Sequence, residues 1–201
     1  MQKYIIYRSI RADPEANELH KYRLTMRPPV NVPYIVDNLW EWKRPDEYPN
    51  RRYSVFASPD ERQSLESARG PSVSYRVELI GNFKICQLLE NHSLQDSQDS
   101  KNHPDCKRLS SLLINELGQS WVDSDVNEKT AAGRLWIPCL TKEAVENLFL
   151  SVETLSRIRD NIYDAISYWN DVVVVKADEP LPSKKGEVFF EPFDGYYLRK
   201  L

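Results

Sequence analysis

Short apolar segments in both halves of the chain predict β-strands. Their residues alternate between apolar and polar, or are rich in β-branched and aromatic side chains, as in strands that line a core. The segments are "KYIIYRSI" at 3–10, "RYSVFAS" at 52–58, "SVSYRVELIGNFKICQLL" at 72–89, "DVVVVKA" at 171–177, "GEVFFEP" at 186–192 and "GYYLRKL" at 195–201. We expect the segment at 72–89 to form two strands that meet at Gly81, and the valine-rich segment to be a central strand.

Apolar residues at steps of three and four predict helices between these strands. One helix is expected from Cys106 and should end at Gly118, since glycine is a common helix stop. Thr141 should cap a second stretch with the same spacing up to Trp169, either one long helix or two joined near Ser151. Ser58 is predicted to cap a shorter helix within "SPDERQSLESA".

A segment rich in tryptophan and arginine, residues 38–53, separates the first two predicted strands. Proline, asparagine and charge predict a long loop over 38–52, although "PYIVDNLWEW" at 33–42 could hold a short helix. Aromatic and cationic side chains together can stack bases and pair phosphates, and the candidates for this role are Trp40, Trp42, Arg51 and Arg52. A loop packed onto the protein by its tryptophans explains the same composition.

The mixture of elements predicts a single α+β domain over residues 1–201, with a helical insertion of unknown role in residues 85–170. The length suffices for one filled core. No apolar run approaches the roughly 20 residues that cross a membrane, so no membrane partner is expected. Three cysteines at irregular spacing do not form a disulfide framework, which favours a cytoplasmic protein.

Several common functional motifs are missing from the sequence. Its scattered glycines form neither a phosphate-binding P-loop nor a dinucleotide fingerprint, and no Gly-x-Ser-x-Gly turn accompanies the histidines. A zinc set of two cysteines and two histidines is the one metal alternative, and we expect no metal because its spacing is too wide for a zinc knuckle. The set would comprise Cys86, His92, His103 and Cys106.

Three stretches of the sequence, at 5–10, 54–68 and 186–190, resemble in their order the active-site stretches of ADP-ribosyltransferases of the Arg-Ser-Glu type. "IIYRSI", with Arg8, resembles the aromatic-Arg-Gly strand of that family. "SVFASPDERQSLESA", with Ser58, resembles its Phe-x-Ser-Thr-Ser strand end and the following helix. "GEVFF", with Glu187, is similar to the strand that begins with the catalytic glutamate. The resemblance implies an ADP-ribosyltransferase-like split β-sheet core with flanking helices.

The resemblance also implies a reaction and roles for its residues. NAD would be the substrate, and Glu187, Arg8 and Ser58 would form the catalytic set, with Arg8, Ser9 and Ser58 binding NAD. Lys185 stands where arginine-specific members carry an acidic or amide residue, so the acceptor is expected to be something other than an arginine side chain.

The implied role is that of a toxin or effector that transfers ADP-ribose to a macromolecule, with a weak preference for RNA or DNA over protein. A neutralising antitoxin protein would then be a partner. Two alternatives stay open. One is an RNA phosphate-removing transferase of the same superfamily, and the other is a non-catalytic module that docks a partner through the segment 38–53.

Overall fold

The chain folds into two compact units, one built on β-sheets and one on helices. The computed structural model describes residues 3–11, 18–68, 70–89, 100–118 and 131–201. The sheet unit comprises Met1–Met26, Asp46–Ser100 and Asp171–Leu201, and the helical unit comprises Arg27–Pro45 and Lys101–Asn170. The helices expected within 85–170 thus belong to a unit that also takes in residues 27–45, whereas the start of that range forms a strand of the sheet unit.

Strands of the described residues form two antiparallel four-stranded sheets in the sheet unit. The first has the order β1-β4-β8-β2 and the second β3-β7-β5-β6. Their bounds are β1 Tyr7–Ile10, β2 Leu19–His20, β3 Val55–Ala57, β4 Val73–Leu79, β5 Phe83–Leu88, β6 Val172–Val174, β7 Val188–Pro192 and β8 Tyr196–Lys200. The expected α+β class is therefore confirmed.

Buried and exposed side chains alternate along the strands, so one face of a sheet can line a core. In β4 the residues Tyr75, Val77 and Leu79 are buried, while the intervening Arg76 and Glu78 are exposed. A turn with Gly81 at φ +54° joins β4 to β5, as the sequence predicts. The prediction of a central strand in the valine-rich segment is wrong, because β6 lies at the edge of its sheet.

Tyr4 is a core residue whose ionisation should destabilise the sheet unit at alkaline pH. It is 4% exposed, and burial raises the pKa of its hydroxyl to about 12. Above pH 10 the unfolded chain loses this proton first, so ionisation favours unfolding, by roughly 1 kcal/mol at pH 11. We expect Tyr4→Phe to lose correspondingly less unfolding free energy than the wild type between pH 8 and pH 11 in urea titrations. Equal losses in the two proteins would contradict this prediction.

Four helices build most of the helical unit within the described residues. They are α1 Tyr34–Lys43, α3 Asp105–Leu117, α4 Lys142–Ser151 and α5 Glu153–Ala165, while α2 Glu61–Glu66 belongs to the sheet unit. The predicted stop at Gly118 and cap at Thr141 are confirmed, and Val152 separates α4 from α5. Among all the described residues, no helix has both the length and the hydropathy needed to cross a membrane.

Helix α1 confirms the alternative of a short helix within 33–42. It corrects the prediction of a loop only for the first part of 38–52, since residues 44–52 form neither helix nor strand. Most apolar residues on this helix are buried. The sequence of α1 therefore had the pattern of a core helix, despite the flanking prolines. Trp40 is fully buried, and its indole N–H donates to Asp105 at 3.0 Å. Trp42 stacks on Phe149 with the ring centroids 4.5 Å apart. Both rings are therefore part of the helical core.

Candidate active site

The main chain brings the three resemblance stretches to one place in the sheet unit. Strands β3 and β7 pair, with Ala57 opposite Val188 at one end of the ladder. Ser58 directly follows Ala57, and Glu187 directly precedes Val188. Ser58 also exchanges two main-chain hydrogen bonds of 2.8 Å with Tyr7, the first residue of β1. The strand that carries Arg8 is thus joined to the ladder end where Ser58 and Glu187 lie.

Arg8 reaches from β1 to the neighbouring sheet. Its Nη1 donates to the carbonyl oxygen of Phe56 on β3 at 2.8 Å. Burial lowers the pKa of Arg8, with a smaller contribution from the nearby charge of Arg23. Ser9, the next residue, faces helix α2, where its hydroxyl lies 2.8 Å from that of Ser64. Arg8 is therefore held by the strand of Ser58, whereas Ser9 is engaged in packing.

Ser58 does not cap α2 as the sequence predicts. The cap is Asp60, whose carboxylate accepts a hydrogen bond of 3.1 Å from the N–H of Gln63. The prediction is wrong because Asp60 reaches the free N–H groups of the first turn from an extended backbone. Ser58 itself is 9% exposed.

A buried glutamine and a glycine fix the backbone that precedes Glu187. The amide of Gln87 donates to the carbonyl oxygens of Ser183 and Lys185, both at 2.9 Å, and accepts from the N–H of Ser183 at 3.1 Å. Gly186 has φ +102°, and a Cβ at this position would overlap the carbonyl oxygen of Leu88. Because residue 186 has no side chain, the backbone can pass close to Leu88 and place Glu187 directly before β7.

Glu187 contacts an arginine and a serine that the resemblance does not include. Its Oε1 accepts a hydrogen bond of 2.5 Å from the Ser100 hydroxyl and one of 3.2 Å from Nη1 of Arg51. The same Arg51 nitrogen donates to the Ser100 oxygen at 2.7 Å. The side chains of Arg51 and Glu187 are 9% and 17% exposed, so this is a largely buried ion pair with a small opening to solvent.

Glu191, which lies within β7, holds the turn that carries Arg51. Strand β7 pairs with β5 without interruption, so Glu191 lies on the same face as Glu187. Glu191 is 5% exposed and accepts from the N–H of Asn50 at 2.7 Å and from the Tyr22 hydroxyl at 3.1 Å. Burial and the charge of Glu191 raise the pKa of Tyr22. The two glutamates thus have different roles, and Glu191 is a structural anchor.

The predicted acceptor-binding residues are not arranged as a stacking surface. Trp40 and Trp42 are buried in α1, so their rings cannot stack on a base in this conformation. Arg52 is 2% exposed, and Arg51 contacts Glu187. The tryptophans belong to a core helix, so neither ring offers an exposed face that would support the acceptor-binding prediction.

Ser100 and Gln87 are residues that sequence reasoning missed. Ser100 lies within the polar stretch "ENHSLQDSQDSKNHPD" at 90–105, whose low hydrophobicity predicts a loop, and residues 90–99 of that stretch lie outside the described residues. Gln87 gave a signal, because it is a polar residue in the otherwise apolar run "ICQLL" at 85–89. In the structure it is fully buried. A buried glutamine must satisfy its amide group, and here it does so on the backbone before Glu187.

The suggested zinc ligands that the structure describes do not all belong to one unit of the protein. Cys86 is buried in β5, and burial raises the pKa of its thiol. His103 and Cys106 lie in the helical unit, where Nδ1 of His103 accepts from the N–H of Asp105, and His92 lies outside the described residues. Among the described residues, no group of three His, Cys, Asp or Glu could hold a metal ion.

Comparisons with known proteins do not indicate a function, so a function has to be inferred from the geometry of the candidate site. No protein-family model, curated protein or solved structure matches the chain.

Proposed function

We propose that this protein is an NAD-dependent mono-ADP-ribosyltransferase that transfers ADP-ribose to a macromolecule. The observation that carries the proposal is the position of Glu187, a partly exposed carboxylate at the ladder end that it shares with Ser58, next to the strand of Arg8. Three residues far apart in the sequence, each matching one stretch of the resemblance, are thereby joined through paired main chains. The antiparallel two-sheet architecture is also consistent with the split sheet that the resemblance implies.

Glu187 would stabilise the charge that develops when NAD is cleaved. Breaking the bond between nicotinamide and ribose leaves a ribosyl group with oxocarbenium character, and a carboxylate placed beside it stabilises that positive charge. The carboxylate would also accept a hydrogen bond from a ribose hydroxyl. Because Glu187 is mostly enclosed, few water molecules can screen this interaction.

Arg8 would hold the pyrophosphate of NAD. A guanidinium group presents several N–H donors in one plane, which suits a bidentate contact with phosphate oxygens. Only Nη1 of Arg8 has a hydrogen-bond partner among the described residues, so its other donors can meet a ligand. Ser58 would bind the ribose at the ladder end, whereas the hydroxyl of Ser9 would have to leave Ser64 to contact NAD.

The acceptor we favour is a nucleic acid. Lys185 is exposed two residues before Glu187, where a cation would attract a phosphate backbone and would repel an arginine acceptor. The roles as a toxin and as the target of an antitoxin belong to the same proposal and rest on the resemblance. Trp40 and Trp42 are buried, so the alternative of a docking module through residues 38–53 would have to use other side chains of that segment.

A direct assay tests the proposal. Purified protein incubated with NAD and RNA or DNA should release nicotinamide, and mass spectrometry should find an added ADP-ribose group on the nucleic acid. A cell lysate provides protein acceptors in a parallel reaction, and modification of protein alone would overturn the preference for nucleic acid. Intact NAD together with unmodified acceptors in every reaction would overturn the proposed function.

A further inference from the structure

We infer that Arg51 is a positioning residue that, together with Ser100, fixes one oxygen of the Glu187 carboxylate and leaves the other to face the ribose. The inference rests on the proposed function and deepens it, since it identifies the carboxylate oxygen that faces the ribose. Neither Arg51 nor Ser100 belongs to the three stretches that suggested the reaction.

The hydrogen bonds to Glu187 are divided unequally between its two carboxylate oxygens. Both side-chain donors, the hydroxyl of Ser100 and Nη1 of Arg51, point to Oε1, at 2.5 and 3.2 Å. Among the described residues Oε2 has no hydrogen-bond partner. Oε2 is therefore the oxygen with lone pairs available for a ribose hydroxyl and for the positive charge on the ribose carbon.

Aromatic rings hold the guanidinium of Arg51 in place. Its central carbon lies 5.1 Å from the ring centroid of Phe56 and 5.4 Å from that of Phe189. Phe56 lies on β3 and Phe189 on β7, the two strands whose ladder ends at the candidate site. Contacts with ring faces attract a guanidinium and restrict its rotamers, so Arg51 has little freedom to leave Glu187.

The backbone next to Arg51 is fixed by β7, the strand that directly follows Glu187. Glu191 accepts from the N–H of Asn50, and the Asn50 side chain in turn accepts from the N–H of Arg52 at 3.0 Å. The Asn50 carbonyl accepts from the hydroxyl of Ser54 at 2.8 Å. One end of β7 thus places Arg51, and Arg51 orients the carboxylate at the other end.

Such positioning matters because a glutamate side chain has several rotatable bonds. An unrestrained carboxylate would sample rotamers that face away from the substrate, and ordering it during the reaction would raise the barrier. Fixing Oε1 in advance removes this cost. Misplacing a reacting group by about 1 Å lowers rates by roughly 10²-fold, which sets the scale of the expected effect.

Variants of Arg51 and Ser100 test the inference through the kinetics of nicotinamide release. We expect Arg51→Met to lower kcat by about 10–100-fold with little change in the KM for NAD, because NAD binding would rest on Arg8. Arg51→Lys should recover part of kcat, and Ser100→Ala should cause a smaller loss. The matched control is Arg62→Met, which removes an arginine that is 86% exposed and paired with Glu66. It should keep the kinetics of the wild type.

The possible outcomes separate this inference from the proposed function. The wild type could be active while Arg51→Met, Arg51→Lys and Ser100→Ala keep its kcat. That result would overturn the inference and leave the proposed function intact. A rise in KM at constant kcat would also overturn it, since Arg51 would then bind NAD. Wild type that leaves NAD intact would overturn both. Thermal unfolding of each variant identifies any that do not fold, and Arg51→Lys and Ser100→Ala still test the inference if Arg51→Met does not.

Discussion

Replacing Glu187 with glutamine is expected to lower the rate of nicotinamide release by roughly 10²–10³-fold. The glutamine has nearly the same shape and can still accept hydrogen bonds from Ser100 and Arg51. It carries no negative charge, however, so it stabilises the positive ribosyl group much less. The KM for NAD should change little, because the lost interaction belongs to the transition state. Steady-state kinetics of NAD cleavage provide the measurement.

Glu78→Gln is the matched control for this substitution. Glu78 lies on β4 of the same unit, is 52% exposed and pairs with Arg199 at 2.6 Å. Its replacement removes one carboxylate from a surface ion pair, and we expect normal turnover. An equal loss in the two variants would show a general effect of charge. Normal turnover in Glu187→Gln would remove Glu187 from the mechanism.

Replacing Gly186 with alanine is expected to lower the free energy of unfolding by about 3 kcal/mol. The positive φ of +102° is unfavourable for any residue with a side chain, and the added Cβ would overlap the carbonyl oxygen of Leu88. Relief of this overlap would move the backbone at Glu187, whose carbonyl accepts from the N–H of Leu88 at 2.8 Å. We therefore also expect slower NAD cleavage in the folded fraction. Urea unfolding and kinetics measure the two effects.

Gly70→Ala separates the effect of the backbone angle from that of the overlap. Gly70 has φ +90°, but a Cβ there would meet only the side chain of Arg11, at 3.7 Å. We expect a smaller loss of about 1 kcal/mol, with unchanged turnover. Equal losses at both positions would contradict the role given to the Leu88 carbonyl.

Local sequence signals predicted much of the secondary structure because local physics determines it. The hairpin about Gly81 follows from alternating apolar residues and a glycine that accepts a positive φ. The start of α4 follows from Thr141, whose side chain accepts from the N–H of Ala144 at 3.2 Å. In such elements the deciding contacts lie within a few residues of each other. The prediction of a single domain rested on chain length and on the mixture of elements, and no local pattern of residues bears on it.

The errors occurred where distant residues decide the structure. Helix α1 forms because its tryptophans are buried, and Trp40 depends on Asp105, 65 residues away, for its indole hydrogen bond. Its composition alone was also compatible with a loop. In the same way, β6 had the residues of a central strand, yet the pairing of the other strands leaves it at the edge.

The candidate site was predictable only in part. The order of three stretches indicated Arg8, Ser58 and Glu187, and the paired strands bring their backbones together. The sequence contained no information that Arg51, assigned to acceptor binding, would contact Glu187 across 136 residues. Ser100 likewise reaches Glu187 across 87 residues. Partners of this kind emerge only once the strands and turns have been assembled.

A crystal structure of the Glu187→Gln variant with NAD bound would test the central claim most directly. The nicotinamide ribose should lie at the end of the β3–β7 ladder, with a ribose hydroxyl within about 3 Å of the side-chain atom at residue 187 that is not bonded to Ser100. The pyrophosphate should contact Arg8. NAD bound elsewhere on the protein, or a ribose facing away from residue 187, would contradict the assignment of Glu187 to NAD cleavage.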